Sequence, residues 1–276
     1  MKSALTWAAC MGLAVSTLSF AQLRDNSEKQ LSCNNDNYGG DRERHCEIRE
    51  QIVGAVGRLN LDAGRNGGVS IKGWLRGEVL VRARVEAQAD TQSAAAGLVS
   101  QVAIEASGGQ VRATGPEGHD NAWWSVSYEV FVPQNTDLEL KAYNGGLNVS
   151  DVRGQIHFEV NNGGVHLKRV AGDVNGSTVN GGLDVEMAGP TWEGRQLDIS
   201  TRNGGVTLSV PSNFSAHLQA ETESGSIQSD FPEAFAAVVE GQRRPRKIDT
   251  TIGGGGPLVH IATRNGGVHL KKLETQ

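Results

Sequence analysis

The sequence predicts an all-β protein: a single β-solenoid-like stack of short strands with Asn-Gly-Gly corners and one short helix in the N-terminal half. Three observations carry that prediction. Glycine supplies 36 of the 276 residues, about 13% against an ordinary usage of about 7%, while aromatic residues make up 5%. Such a composition favours many tight turns over a few long helices. The tripeptide Asn-Gly-Gly recurs between short segments of alternating polarity. Its copies are also nearly periodic, which marks stacked units.

The corners are Asn66-Gly67-Gly68, Asn144-Gly145-Gly146, Asn162-Gly163-Gly164, Asn180-Gly181-Gly182, Asn203-Gly204-Gly205 and Asn265-Gly266-Gly267. A degenerate copy begins at Glu223. From Asn144 to Asn162 to Asn180 the spacing is 18 residues, then 23 to Asn203 and 21 to Ser224, with a longer interval before Asn265. Around one corner, Ile156, Phe158 and Val160 alternate with polar residues on the approach, and Val165 and Leu167 on the exit. Each unit therefore reads as strand, corner, strand and second turn, with one apolar face. One such pair of strands cannot bury its face alone, so the units stack, with Val165, Leu183 and Val206 in one inner column. The corner is expected to need positive φ, which glycine supplies without steric cost and asparagine tolerates. Asparagines at matching corners are expected to form a hydrogen-bonded ladder. A phosphate cradle is the competing reading of so many glycines, but such a loop feeds a helix N-terminus and these feed alternating strands.

The N-terminal half is also mostly β. Val79, Val81, Ala83 and Val85 share one face, with Arg82, Arg84 and Glu86 on the other, and the segment from Trp123 alternates likewise. Between them the Ala-rich run Asp90–Gly109 opens on Asp90, an expected N-cap, and predicts a helix. The stretch from Glu240 to Gly256 interrupts the period and is expected to protrude as a loop.

Residues 1–21 carry Lys2, an apolar run and Ser19-Phe20-Ala21, the pattern of a cleaved signal peptide. With the leader removed no membrane span is expected. Residues 22–47 form a polar lead whose Cys33 and Cys46, an even pair in an exported chain, are expected to be disulfide-bonded. Residues 48–276 form the repeat domain. The expected location is periplasmic, extracellular or at the cell surface. A net charge of −5 argues against a nucleic-acid partner.

The signal peptide, the early cysteine pair leading to "HCEIRE", the run "GRLNLDAGRNGGVSIKGW", the segment "SVSYEVFVP" and the repeated "NGGV" corners resemble the bacterial putative-adhesin family of β-strand-repeat domains of unknown function. The resemblance spans about Ile48 to Leu270. It implies a β-solenoid-like envelope or secreted protein and no established activity, ligand or catalytic residue.

No GxSxG elbow is present. No catalytic residue, cofactor or metal site is expected. His157, His166 and His269 read as outward surface histidines. Asp151, Glu159, Asp184, Glu186 and Asp198 read as solvated acids, although two carboxylates at suitable separation would be the acid and base of a polysaccharide-cleaving solenoid. Trp74, Trp123, Trp124 and Trp192 remain after signal removal; adjacent Trp123 and Trp124 point to opposite faces of a regular strand, so one is a candidate sugar contact. Arg243, Arg244, Arg246 and Lys247 are candidate contacts for an anionic polymer. The leading expectation is a non-enzymatic exported scaffold that binds a cell-surface polymer or envelope protein. The alternatives are the polysaccharide-cleaving enzyme and an envelope sensor domain. End-to-end self-association through open strand edges is a further expectation, with Val268–Leu270 as the segment to test.

Overall fold

The computed structural model describes residues 31–33, 42–118, 121–235 and 245–273. It is mostly β, with twenty strands in two ten-stranded sheets. Five strands and the helix form the N-terminal end: β1 (Glu43–Val53), β4 (Val79–Ala89), β5 (Ala103–Ser107), β6 (Gln110–Thr114), β7 (Trp123–Pro133) and α1 (Gln92–Gln101). The other strands except β18 build coils, each placing one strand in either sheet on both sides of a corner.

The coils are β2 (Arg58–Asp62) with β3 (Val69–Trp74), β8 (Asp137–Asn144) with β9 (Leu147–Ser150), and β10 (Arg153–Asn162) with β11 (Val165–Lys168). They continue as β12 (Ala171–Asn180) with β13 (Leu183–Glu186), and β14 (Gln196–Asn203) with β15 (Val206–Val210). The last are β16 (Ala216–Ser224) with β17 (Ile227–Ser229), and β19 (Leu258–Asn265) with β20 (Val268–Lys272). β18 (Lys247–Ile252) flanks β16 antiparallel. One sheet runs β1-β4-β7-β3-β9-β11-β13-β15-β20-β17 and the other β18-β16-β19-β14-β12-β10-β8-β2-β6-β5.

Coil pairing is parallel and in register, so the period of the sequence becomes the period of the stack. Val165 lies beside Leu183, and Leu183 beside Val206, as the periodicity requires. Leu147, Val69, Val268 and Ile227 extend the same column. All seven are at most 3% exposed, and burial of this apolar sandwich is the main term holding the sheets together. In the facing sheet Phe158 lies beside Gly176, where an added Cβ would approach the ring to 2.5 Å. The missing side chain makes room for the aromatic one.

Coil order does not follow chain order at the far end. The coil of β19 and β20 inserts between β14/β15 and β16/β17, so the degenerate copy at Ser224 is terminal. Val268–Leu270 therefore lies in an interior strand and is not an end of the stack. Part of the expected loop from Glu240 to Gly256 is strand β18, which shields the edge of β16. The two edges of the first sheet are blunted. β17 has three residues, and β1, an edge strand, turns His45, Glu47 and Arg49 toward the same side as Ala87, Val85 and Ala83. Inward charges on an edge strand oppose pairing with another chain.

The helix departs from expectation at both termini. Thr91, not Asp90, is the N-cap, its hydroxyl accepting from the N–H of Ala94 at 3.2 Å. The helix stops at Gln101, after which Ala103–Ser107 pairs with β6 as a strand, since Ile104 and Ala106 pack against the core. The solvent face expected for β4 is partly covered: Arg82 is 6% exposed and Glu86 7%. Arg82 donates to Glu129 at 2.8 Å and also pairs with Glu50, while Lys72 donates to Glu129 at 2.5 Å. Cys33 and Cys46 are disulfide-bonded, and Leu31 N–H donates to Glu129 at 3.3 Å, which places the lead across this charged network. β1 begins at Glu43, five residues before the boundary read at Ile48.

Candidate functional site

The corners form one continuous edge. Asn144 donates its side-chain N–H to Asn66 at 3.0 Å, Asn162 to Asn144 at 2.8 Å and Asn180 to Asn162 at 2.7 Å. Asn203 donates to Asn180 at 2.7 Å and Asn265 to Asn203 at 2.8 Å. The expected ladder therefore runs through all six corners and ends where Ser224 replaces asparagine. From Asn144 onward each carboxamide uses one of its two N–H donors on the preceding rung, and Asn66 only accepts, so every rung keeps at least one N–H for solvent or a ligand.

The first glycine of each corner is required for a reason beyond the one expected. Gly67 at 151° and Gly204 at 159° have the expected positive φ, whereas Gly145, Gly163, Gly181 and Gly266 do not. A Cβ on Gly163 would sit 2.1 Å from the carbonyl oxygen of Gly145, and one on Gly181 2.0 Å from that of Gly163. Close approach of stacked backbones excludes a side chain at the first glycine of every corner, and at Gly145, Gly163, Gly181 and Gly266 it does so without positive φ. The second is looser, with 3.6 Å to the nearest atom at Gly164. Among the described non-glycine residues, positive φ falls on two of the second turn, Asp151 at 59° and Arg169 at 51°. They stack, and Arg169 grips Asp151 through two bonds of 2.7 Å, a bidentate pair that also raises the Arg169 pKa.

Buried threonines support the corners. Thr178, Thr201, Thr222 and Thr263 donate their hydroxyls to the carbonyls of Gly163, Gly181, Gly266 and Gly204 at 2.7–3.0 Å. Sequence reasoning passed over them, although threonine two residues before the corner recurs in four copies.

On the outer faces, charges alternate between coils. Of the five acids singled out, Asp151 pairs with Arg169, Glu159 with Lys141 at 3.7 Å, Asp184 with His166 at 3.2 Å, Glu186 with Lys168 at 2.9 Å and Asp198 with His260 at 2.7 Å. His157 lies 3.5 Å from Glu159 and 4.0 Å from Glu139, and His269 3.7 Å from Asp230. A hydrogen bond from His217 holds the Asp249 carboxyl below its ordinary value, and the backbone N–H of Lys272 does the same for Asp230. Among the described residues no three histidine, cysteine or carboxylate side chains gather as metal ligands.

The aromatic and basic candidates are not brought together. Trp124 lies on the Ala87 side of the sheet, packs against the core and donates to Pro116 at 2.8 Å; Trp123 lies beside Gln88 on the other face. Trp74 and Trp192 are 8% and 2% exposed, with indole N–H bonds of 2.9 Å to the carbonyls of Glu78 and Gly172. Lys247 opens β18 at the opposite end of the stack, 3.8 Å from Glu221, with Arg246 just before it. Arg243 and Arg244 lie outside the described residues, as does the leader peptide.

Fold and edge together define a parallel two-sheet stack with asparagine-glycine corners, a class of repeat scaffold whose regular surfaces are its outer faces and corner edge. The chain belongs to the Toastrack family DUF4097, whose sequence model matches residues 65–271. Among solved structures, a putative cell adhesion protein from Clostridium sporogenes aligns over 83% of this chain and 100% of its own at 13% identity, TM-score 0.44. A putative adhesin from Bacteroides fragilis aligns over 82% of this chain and 97% of its own at 9% identity, TM-score 0.34. A putative adhesin from Parabacteroides merdae covers 83% of this chain and 96% of its own at 9% identity, TM-score 0.26. No curated protein matches the chain.

Proposed function

We propose that the protein is a non-enzymatic, exported β-repeat scaffold that binds a cell-surface polymer or an envelope protein along the regular surfaces of its stack. The observation that carries this reading is the in-register pairing of successive coils, which repeats surface side chains at the strand spacing of about 4.8 Å. A regular row of hydrogen-bonding groups suits a regular ligand. The alternation of acids with cations along the outer faces supports a structural use of those carboxylates, and the adhesin names of the aligned proteins agree with a binding role. The Cys33–Cys46 disulfide supports an oxidising compartment, periplasmic or extracellular. No helix among the described residues is long and apolar enough to cross a membrane.

Binding of the disulfide-intact mature protein to an array of glycans and cell-wall polymers, read at low and moderate salt, tests the reading. Reproducible binding to at least one polymer class is expected. Silence on the array together with release of reducing ends from a polysaccharide would overturn it in favour of an enzyme, and silence with recovery of a soluble signalling protein would favour a sensor.

A further inference from the structure

Across the strand pairs of both sheets, charged residues face opposite charges or neutral groups. Lys168 faces Glu186, Lys141 faces Glu159, Asp198 faces His260, Glu221 faces Lys247 and Glu105 faces Arg112. One place breaks this rule. The register pairs Thr201–Thr263 and Asn203–Asn265 enclose Arg202 and Arg264, which are consequently neighbours on adjacent parallel strands. Like charges at about 4.8 Å destabilise a sheet unless something answers them. Glu223 answers Arg264 at 2.9 Å. Among the described residues none pairs with Arg202, which is exposed at the corner edge beside the ladder rung Asn203.

The surroundings of this pair point to a ligand. Three coils away along the same edge, roughly 14 Å at the strand spacing, Tyr143 is 53% exposed, an unusual position for a large aromatic ring among these coils. Arg65 precedes the first ladder rung and is also exposed, and among the described residues no acidic group pairs with it. Between them run the carboxamides, each with a donor to spare. Guanidinium groups bind carboxylates through paired hydrogen bonds, an amide row matches ring hydroxyls, and an exposed phenol ring stacks on a pyranose face.

We propose that the asparagine-ladder edge, anchored by Arg202 and Arg264 and extended by Tyr143, binds an unbranched, carboxylate-bearing glycan lying along the stack axis. This deepens the scaffold reading and rests on it. The like-charge pair is then kept for binding at the expense of local stability.

The test titrates the disulfide-intact protein with polygalacturonate, with dextran as the neutral control and polyphosphate as the phosphate control. Polygalacturonate is expected to bind and to weaken with salt. Arg202→Gln and Arg264→Gln should each weaken it by about tenfold, the effect of losing one charge-assisted contact, and Tyr143→Ala should weaken it as well. The thermal midpoint of Arg202→Gln should be unchanged or higher, because the substitution relieves repulsion; a lower midpoint assigns the arginine a structural role and overturns the proposal. So does polygalacturonate binding that is unchanged in the double variant, or binding of polyphosphate alone. Binding of other array polymers with none of polygalacturonate sinks this assignment and leaves the scaffold reading standing, whereas silence toward every polymer removes both.

Discussion

At the scale of single residues, the corner is governed by distance. The two glycines of Asn162-Gly163-Gly164 look alike in the sequence, yet a Cβ on Gly163 would overlap the Gly145 carbonyl at 2.1 Å while one on Gly164 finds its nearest atom at 3.6 Å. Gly163→Ala should therefore cost about 3 kcal/mol or more, because stacked backbone on both sides cannot retreat, and Gly164→Ala about 1 kcal/mol or less. Urea unfolding of the two variants checks the asymmetry; equal costs would mean that the corner is limited by φ. The buried threonines offer a smaller test. Thr201→Val keeps the shape but removes the bond to the Gly181 carbonyl, and the expected loss is about 1 kcal/mol. The earlier coils place Val160 and Ala142 at the matching position, so the hydroxyl contributes stability without being needed for the fold.

At the scale of elements, side-chain contacts tie the inserted coil to both of its neighbours. His260 on β19 lies 2.7 Å from Asp198 on β14 and 3.9 Å from Glu221 on β16, which bridges the strands that flank the inserted coil. At the edge of that sheet, Asp249 on β18 takes its lowered pKa chiefly from the His217 hydrogen bond, with Gln219 and Lys247 adding to it. A carboxyl whose folded pKa lies below its ordinary value of 3.8 contributes stability that is complete above that value. The contribution disappears as pH falls through the lower, folded pKa. Asp249→Asn should accordingly lower the thermal midpoint at pH 6, with the deficit shrinking as pH falls below 3.8, and a deficit that does not shrink in acid would show that the ion pair is not its source. The cap of α1 is a third element whose detail sequence left open. Asp90 and Thr91 are both good caps by type, and only the turn leading out of β4 decides that Thr91 reaches the Ala94 N–H.

At the scale of the whole molecule, the stack is a sandwich closed at its ends by irregular pieces. The N-terminal end has β1, α1 and the disulfide-tethered lead, and the far end has the short β17 and the antiparallel β18. Closing a loop with a separation of 13 residues is worth about 3 kcal/mol in the chain-entropy account. Replacement of both cysteines by serine should lose an amount of that order and raise hydrogen exchange in β1 before the central coils. If β1 and the central coils lose protection together, the stack unfolds as one unit and the lead is not a separable clamp. End-to-end association remains a proposal for this molecule; its test belongs on the terminal strands β1, β5, β17 and β18, since Val268–Leu270 is interior.

The sequence by itself determined the architecture: the near-constant spacing of Asn-Gly-Gly and the alternation around it dictate strands, corners, one inner apolar column and a carboxamide ladder. The reason is local, because period-two alternation and turn chemistry act over a few residues and are written in them. Tertiary structure alone decided which coil lies beside which. The insertion of β19 and β20, the reason glycine is needed at each first corner position, the burial of Arg82 and the meeting of Arg202 with Arg264 all depend on contacts between residues distant in the chain. Repeat copies of similar sequence are nearly interchangeable as neighbours, so their order rests on cross-coil charge and packing terms that no single copy displays.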